Sequence, residues 1–159
     1  MNFYTADICD GHPDKVHVLD NEFKNYGAKD KFCAQVVTVK LDKNNSELIK
    51  ILRDEDGTGK IVVVDVDDEY FAVVGENLMK FAHANGYEAI LVNGYVRDTE
   101  QIKDIPVALY ARGTCPRKYI PETKGERNIE LSFCGVQFND GDYVYADVDG
   151  IILAKEKIV

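Results

Sequence analysis

The sequence predicts a mixed α/β fold in a single domain, residues 1–159. Three observations carry that prediction. A length of 159 residues suits one domain with a core of its own. Segments with strand character outnumber helices, and the strongest helices fall in the first two-thirds of the chain. Two short apolar runs, residues 61–64 and 89–92, read as strands covered on both faces.

The elements follow in order. Residues 5–10 read as a short helix with Thr5 as N-cap, broken by Gly11-His12-Pro13. Residues 16–19 are a short strand or extended segment, and a polar turn ends at Tyr26-Gly27. Residues 32–41 are rich in β-branched side chains and predict a strand. Asn44-Asn45-Ser46 caps a helix running to about Leu52. A polar turn over 54–60 leads into the strand at 61–64, and Asp65-Val66-Asp67-Asp68-Glu69 follows as a solvated acidic loop. Beyond Val74-Gly75 a helix opens at Glu76-Asn77. Leu78, Phe81 and Ala82 recur at helical spacing, and Gly86 ends the helix as a C′ glycine. The strand at 89–92 turns at Gly94. Residues 99–102 give a helical turn, Ile105-Pro106 lead into a strand over 107–111, and 115–118 form a loop. Strands at 129–133 and 136–138 break near Gly135. Asn139-Asp140-Gly141-Asp142 is a turn. The last strands, 143–146 and 151–154, join at Asp149-Gly150, and 155–159 is a frayed tail.

Composition excludes several functions. A formal net charge of −9 argues against direct, non-specific nucleic-acid binding, which needs clustered Lys and Arg, yet suits a basic protein surface. Cys9, Cys33, Cys115 and Cys134 form no CxxC pair, so zinc and thioredoxin-like chemistry lack support. Free thiols in a reducing cytoplasm are the simple reading. No signal peptide and no membrane-length apolar run is expected. Gly57-Thr58-Gly59-Lys60 invites a nucleotide reading and fails it. A P-loop wants glycine where Asp54 stands and Ser or Thr where Ile61 stands; a dinucleotide loop wants glycine at Val62. The acidic run at 65–69 resembles a calcium loop, but Tyr70 occupies the place of its turn glycine.

The stretch from Gly75 to Asp98 holds two chemical devices. A helix N-terminus has free N–H groups that favour a carboxylate or phosphate. Arg97-Asp98 follows a strand at its carboxyl end, where open α/β sheets commonly bind ligands. Arg suits a planar carboxylate, and Asp with Glu suits a hard cation such as Mg²⁺ that keeps several waters. Together they fit a metal-assisted site for a small α-keto acid. The plain alternative is that Glu76 only favours the helix end and Arg97-Asp98 is a solvated pair.

This stretch resembles the signature of the RraA family and its relatives, the 4-hydroxy-4-methyl-2-oxoglutarate aldolases: an acidic residue, twenty intervening residues, then Arg-Asp. Glu76, residues 77–96 and Arg97-Asp98 match it. Further blocks agree in order. They include Asp20-Asn21-Glu22-Phe23, Val62-Val63-Val64-Asp65, Gly113-Thr114-Cys115-Pro116-Arg117-Lys118, Gly125-Glu126-Arg127 and Tyr145-Ala146-Asp147. The resemblance implies a β/β/α layered, swivelling-domain-like fold assembled as a homotrimer, with the site near a subunit interface.

It also implies a class II, divalent-metal-dependent lyase using Mg²⁺ or Mn²⁺. Asp98 would ligate the metal directly and Glu76 through water. Arg97, the catalytic residue, would pair with the α-keto acid, and Gly75 with the amides of Asn77 and Leu78 would receive its carboxylate. The two reactions implied are aldol cleavage of 4-hydroxy-4-methyl-2-oxoglutarate and decarboxylation of oxaloacetate. Three features depart from the aldolase pattern. Glu76 stands where Asp is usual, which moves the carboxylate by roughly an ångström or more. Residues 65–69 replace a glycine-rich run near the site of relatives. Longer relatives carry an acidic base in a C-terminal extension, which is not found before Val159. The alternative function is a non-catalytic regulator that binds and inhibits ribonuclease E. The intact Arg97-Asp98 pair favours the catalytic reading. Arg117 and Lys118 could reach substrate across a subunit boundary or lie in a solvated loop, His83 reads as surface or core, and Glu126-Arg127 as a local ion pair.

Overall fold

The two central apolar runs are strands buried along their whole length, and the other elements are arranged to cover them. The computed structural model describes residues 2–118 and 125–159. In chain order its elements are α1 (Thr5–Gly11), β1 (Val16–Val18), β2 (Lys24–Asn25), β3 (Phe32–Lys40), α2 (Ser46–Asp54), β4 (Lys60–Asp65), β5 (Ala72–Val74), α3 (Glu76–Ala84), β6 (Ala89–Asn93), β7 (Tyr95–Val96), α4 (Thr99–Ile102), β8 (Ala108–Ala111), β9 (Gly113–Thr114), β10 (Glu126–Arg127), β11 (Leu131–Phe133), β12 (Val136–Phe138), β13 (Tyr143–Asp147) and β14 (Gly150–Ala154). The main sheet runs β1-β14-β13-β3-β4-β6-β8-β2, with β10 beside β3. Strands β3, β4, β6 and β8 are parallel, while β13, β14 and β1 extend one side antiparallel and β2 the other.

Period-two alternation assigns each buried side chain to a face. Val62, Val64, Ile90 and Val92 pack under α2 and α3, against Leu48, Ile51, Met79 and Ala82. Ile61, Val63, Ala89 and Leu91 point the other way, under the β11–β12 hairpin with Leu131, Val136 and Phe138. Hairpin, sheet and helices are the three layers of a β/β/α fold. Helix α1 covers the antiparallel side through Ile8, beside Phe3, Tyr145 and Ile152. A fully buried aliphatic side chain contributes roughly 1.5–3 kcal/mol and a surface ion pair about 0–1, so these two cores hold the layers.

A second sheet grows from the first. Strand β7 follows β6 after Gly94 alone, and β9 follows β8 after Arg112 alone; with β5 they form a parallel three-stranded sheet. Gly94 is required by space: a Cβ there would lie 2.6 Å from a Val66 methyl. The Arg112 amide donates to the Gly94 carbonyl at 2.9 Å, so both strands leave the main sheet at one level.

Several expectations need correction. The five strands β2, β5, β7, β9 and β10 are two or three residues long, too short for periodicity to reveal. Thr5 is the first helical residue, not the N-cap. Its amide and hydroxyl both donate to the Asp147 carboxylate at 2.7 Å, which seats α1 on β13. Asp65 is not solvated. It is 6 % exposed, accepting from Asn93 Nδ2 at 2.8 Å and from Lys40 Nζ at 3.0 Å. The tail is tied down, because the Tyr145 hydroxyl accepts from the amides of Ile158 and Val159. Arg127 pairs with Glu47 and Glu55 of the α2 segment at 2.7 and 2.6 Å, not with Glu126.

Burial alone would raise the Asp147 pKa. The hydrogen bonds from Thr5 and Asp149, with Lys31 nearby, outweigh it and hold the carboxyl below the usual Asp range. A depressed folded pKa stabilises the fold above the unfolded value, near about 3.9, and is lost as pH falls through the lower folded value. Asp147→Asn should therefore flatten the acid limb of stability. Urea midpoints measured from pH 5 to pH 3 should fall less steeply in the variant than in the wild type.

Candidate active site

Parallel neighbours end side by side, and β5 and β7 are parallel neighbours. Val74 runs into Gly75 and Val96 into Arg97 at the same end of the pair, with the Arg97 amide donating to the Val74 carbonyl at 3.0 Å. The twenty residues between Glu76 and Arg97 are α3, β6 and β7, one crossover of the chain. Sequence spacing thus becomes spatial contact through ordinary βαβ geometry.

Asp98 locks the contact. It adopts left-handed backbone angles, φ 61° and ψ 34°, at the N-cap of α4. Asp is among the few residues that adopt this region singly. Its Oδ2 accepts from the Glu76 amide at 2.9 Å, capping α3 from a different segment. Gly75, the N-cap of α3, leaves room for this: a Cβ there would lie 2.6 Å from Asp98 Oδ2 and 3.4 Å from Arg97 Cγ.

The next amides of α3 are the open donors of this end. The Met79 amide reaches the Gly75 carbonyl at 3.1 Å, while those of Asn77 and Leu78 have no partner among the described residues. They add to the positive end of the helix dipole. Arg97 donates from Nη1 to the Pro116 carbonyl at 3.3 Å and has no carboxylate partner among the described residues. Its guanidinium is therefore open to an anionic ligand. The Glu76 carboxylate lies 3.6 Å from Lys80 Nζ, one helical turn on.

A cleft of about 200 Å³ gathers all six predicted site residues: Gly75, Glu76, Asn77, Leu78, Arg97 and Asp98. Among the described residues no group of three or more His, Cys, Asp or Glu side chains converges as a metal cage. The donor set fits a Mg²⁺-type cation, which rests on one or two carboxylates and completes its shell with water and substrate oxygens.

The cleft also holds residues that sequence reasoning missed or placed elsewhere. Asn45 lines it and donates from Nδ2 to the Val73 carbonyl at 3.0 Å, whereas Asn44 supplies the side-chain acceptor for Ser46. Lys118 lines the cleft of its own chain, adding a second cation beside Arg97. None of residues 65–69 lines it, so the acidic loop does not narrow this cleft. His83 is exposed on α3.

Comparison with known proteins gives a consistent relationship. The RraA-like family profile, described as Aldolase/RraA, matches residues 5–153. A provisionally named 4-hydroxy-4-methyl-2-oxoglutarate aldolase of Stutzerimonas stutzeri (strain A1501) is 38% identical over 159 residues, 99% of this chain and 98% of its own length. The structure of the RNA-processing inhibitor RraA from Thermus thermophilis matches with a TM-score of 0.93 at 32% identity, covering 100% of this chain and 96% of that one. A Geobacillus kaustophilus HTA426 structure described as an S-adenosylmethionine: 2-dimethylmenaquinone methyltransferase gives 0.92 at 34% identity, covering 98% of this chain and 97% of that one. One fold carries three functional names, so chemistry has to be argued from the site.

The close approach at Gly75 predicts a specific coupling. Gly75→Ala should cost about 1–3 kcal/mol, the range for overpacking. Asp98→Ala removes the atom that the new methyl meets, so the double variant should be more stable than the two single losses add up to. Urea denaturation of the four proteins measures the difference.

Proposed function

The chain belongs to the RraA-like family, and from that premise we propose that it is a divalent-metal-dependent lyase acting on small α-keto acids. The observation that carries the proposal is the Arg97 guanidinium, lacking a carboxylate partner among the described residues, beside two unpartnered amides in one cleft. Oxaloacetate and 4-hydroxy-4-methyl-2-oxoglutarate are the substrates proposed. Arg97 pairs with the substrate carboxylate through two parallel N–H groups. The amides of Asn77 and Leu78 receive carboxylate oxygens at the positive helix end, and Gly75 keeps that end unobstructed. Lys118 adds attraction for a dianion.

Asp98, with Glu76 acting through water, would hold Mg²⁺ or Mn²⁺. A cation bound there supplies the positive charge that an enolate product requires. In oxaloacetate the bond to the departing carboxylate breaks, its electron pair passes into the enolate of pyruvate, CO₂ leaves, and solvent returns a proton. Aldol cleavage must first remove a hydroxyl proton. Among the described residues lining the cleft, Glu76 and Asp98 are the only carboxylates, both proposed for the cation. Decarboxylation is therefore ranked first. The methyltransferase name of the Geobacillus neighbour finds less support, since residues 41–45 after the first parallel strand contain no glycine for a nucleotide to approach.

A second reading is a regulator that binds ribonuclease E. It is favoured by the −9 net charge, which complements a basic partner, and by the likeness to the Thermus RNA-processing inhibitor. The two readings share a homotrimer with the cleft near a subunit boundary.

Pyruvate release from both substrates separates them. With protein whose trimeric mass is verified by light scattering, turnover should require Mg²⁺ or Mn²⁺ and stop with chelator. Arg97→Ala should lower kcat/KM by about 100-fold or more, the scale of losing a preorganised charge contact. Folded protein that gives no metal-dependent pyruvate would end the lyase reading and leave the regulator.

A further inference from the structure

A charged concavity outside the proposed active site lies between the β1–β2 segment and the β13–β14 turn. It encloses about 450 Å³, a size suited to a small molecule. Asp20, Asp30, Asp147 and Asp149 line it, and among the described residues no Lys, Arg or His does. Asp147 is occupied by Thr5 and Asp149. Asp20, Asp30 and Asp149 have no cationic partner among the described residues. Lys31, next to Asp30, sits over the rings of Tyr4 and Phe3, at 4.1 and 5.1 Å, and its charge is felt at Asp147.

An independent observation lies at the floor. Tyr110 of β8 is 7 % exposed, its ring beside Phe32, yet its hydroxyl has no hydrogen-bond partner among the described residues. No side-chain polar atom in the described structure is both sealed from solvent and unpartnered, so this hydroxyl meets solvent at the cleft it lines. Burial first, then the carboxylates of Asp30 and Asp147, push its pKa upward. It therefore stays a neutral oxygen able to accept from an ammonium. Two of the chain's exposed large apolar side chains, Val18 and Val148, stand in the same cleft, above buried Leu19 and Ile151.

The shape of the charge selects the ligand. The carboxylates do not converge as metal ligands. They share the lining with apolar Val18, Leu19, Val148 and Ile151, which suits positive charges carried on an alkyl chain better than one compact ion. We propose that this cleft binds a small alkyl diammonium ion, one nitrogen at Tyr110 and Asp30, the other toward Asp20 and Asp149, its chain over Leu19 and Ile151. The site is separate from the α-keto acid cleft and does not depend on that reading.

Calorimetric titration of the full chain with 1,5-diaminopentane tests it, with 1-aminopentane and 1-pentanol as partial and neutral analogues. Saturable one-to-one binding is expected for the diamine, weaker binding for the monoamine and none for the alcohol. Tyr110→Phe and Asp30→Asn should each weaken the diamine about tenfold, the scale of one hydrogen bond to a charged group. Asp10→Asn, an exposed carboxylate elsewhere, and Arg97→Ala should leave it unchanged. Absence of saturable binding overturns the proposal. So does equal weakening by Asp10→Asn and Asp30→Asn, which marks general charge attraction. Should Tyr110→Phe fail to fold, Asp30→Asn against Asp10→Asn decides alone.

Discussion

Two strands must leave the main sheet at the same level for the candidate cleft to form at all. Gly94 allows the first departure, because any side chain there would strike Val66. Arg112 marks the second, and its amide ties the two breaks together. Only then can β7 and β9 pair with β5, and only that pairing sets Val74 beside Val96. The Gly75 turn, the α3 N-terminus and the Arg97-Asp98 pair follow as consequences.

The side chain of Arg112 reinforces the same junction from the polar side. It donates to Asn93 Oδ1 and to Glu22, and lies 3.5 Å from Asp68. Asn93 passes the chain of contacts to Asp65, and Asp65 to Lys40. The buried carboxylate is thus held by an amide and a cation arriving from neighbouring strands, which keeps its burial affordable. The acidic run that superficially resembles a calcium loop is structural at its first residue, while Arg97, without a carboxylate partner among the described residues, lies in the Gly75–Asp98 stretch that the sequence singled out.

Sequence was a good guide where one local signal decides the outcome. The run Ala89–Asn93 is continuous and apolar, and it is buried on both faces as that pattern demands. Gly86 has φ 81° beyond the end of α3, as a C′ glycine should. The spacing from Glu76 to Arg97 was legible through the resemblance to the RraA signature, and the structure shows it to be one crossover of the chain. What failed were features set by long-range partners. Thr5 offers a good cap by type, but Asp147, far along the chain, decides its role. Asp65 sits among acids that face water, and only Lys40 and Asn93 reveal that it does not. Asn45 and Lys118 enter the cleft from loops, where no periodicity announces direction. Strands of two residues carry no period at all.

The sizes of the two sheets divide the molecule's thermal behaviour. The site stands on strands of three, two and two residues, whereas the main sheet includes strands of nine and six. Short ladders open at lower free energy than core strands. On warming, the cleft is then expected to lose its alignment before the layered core unfolds, in a local melting of the small sheet that cooling would reverse.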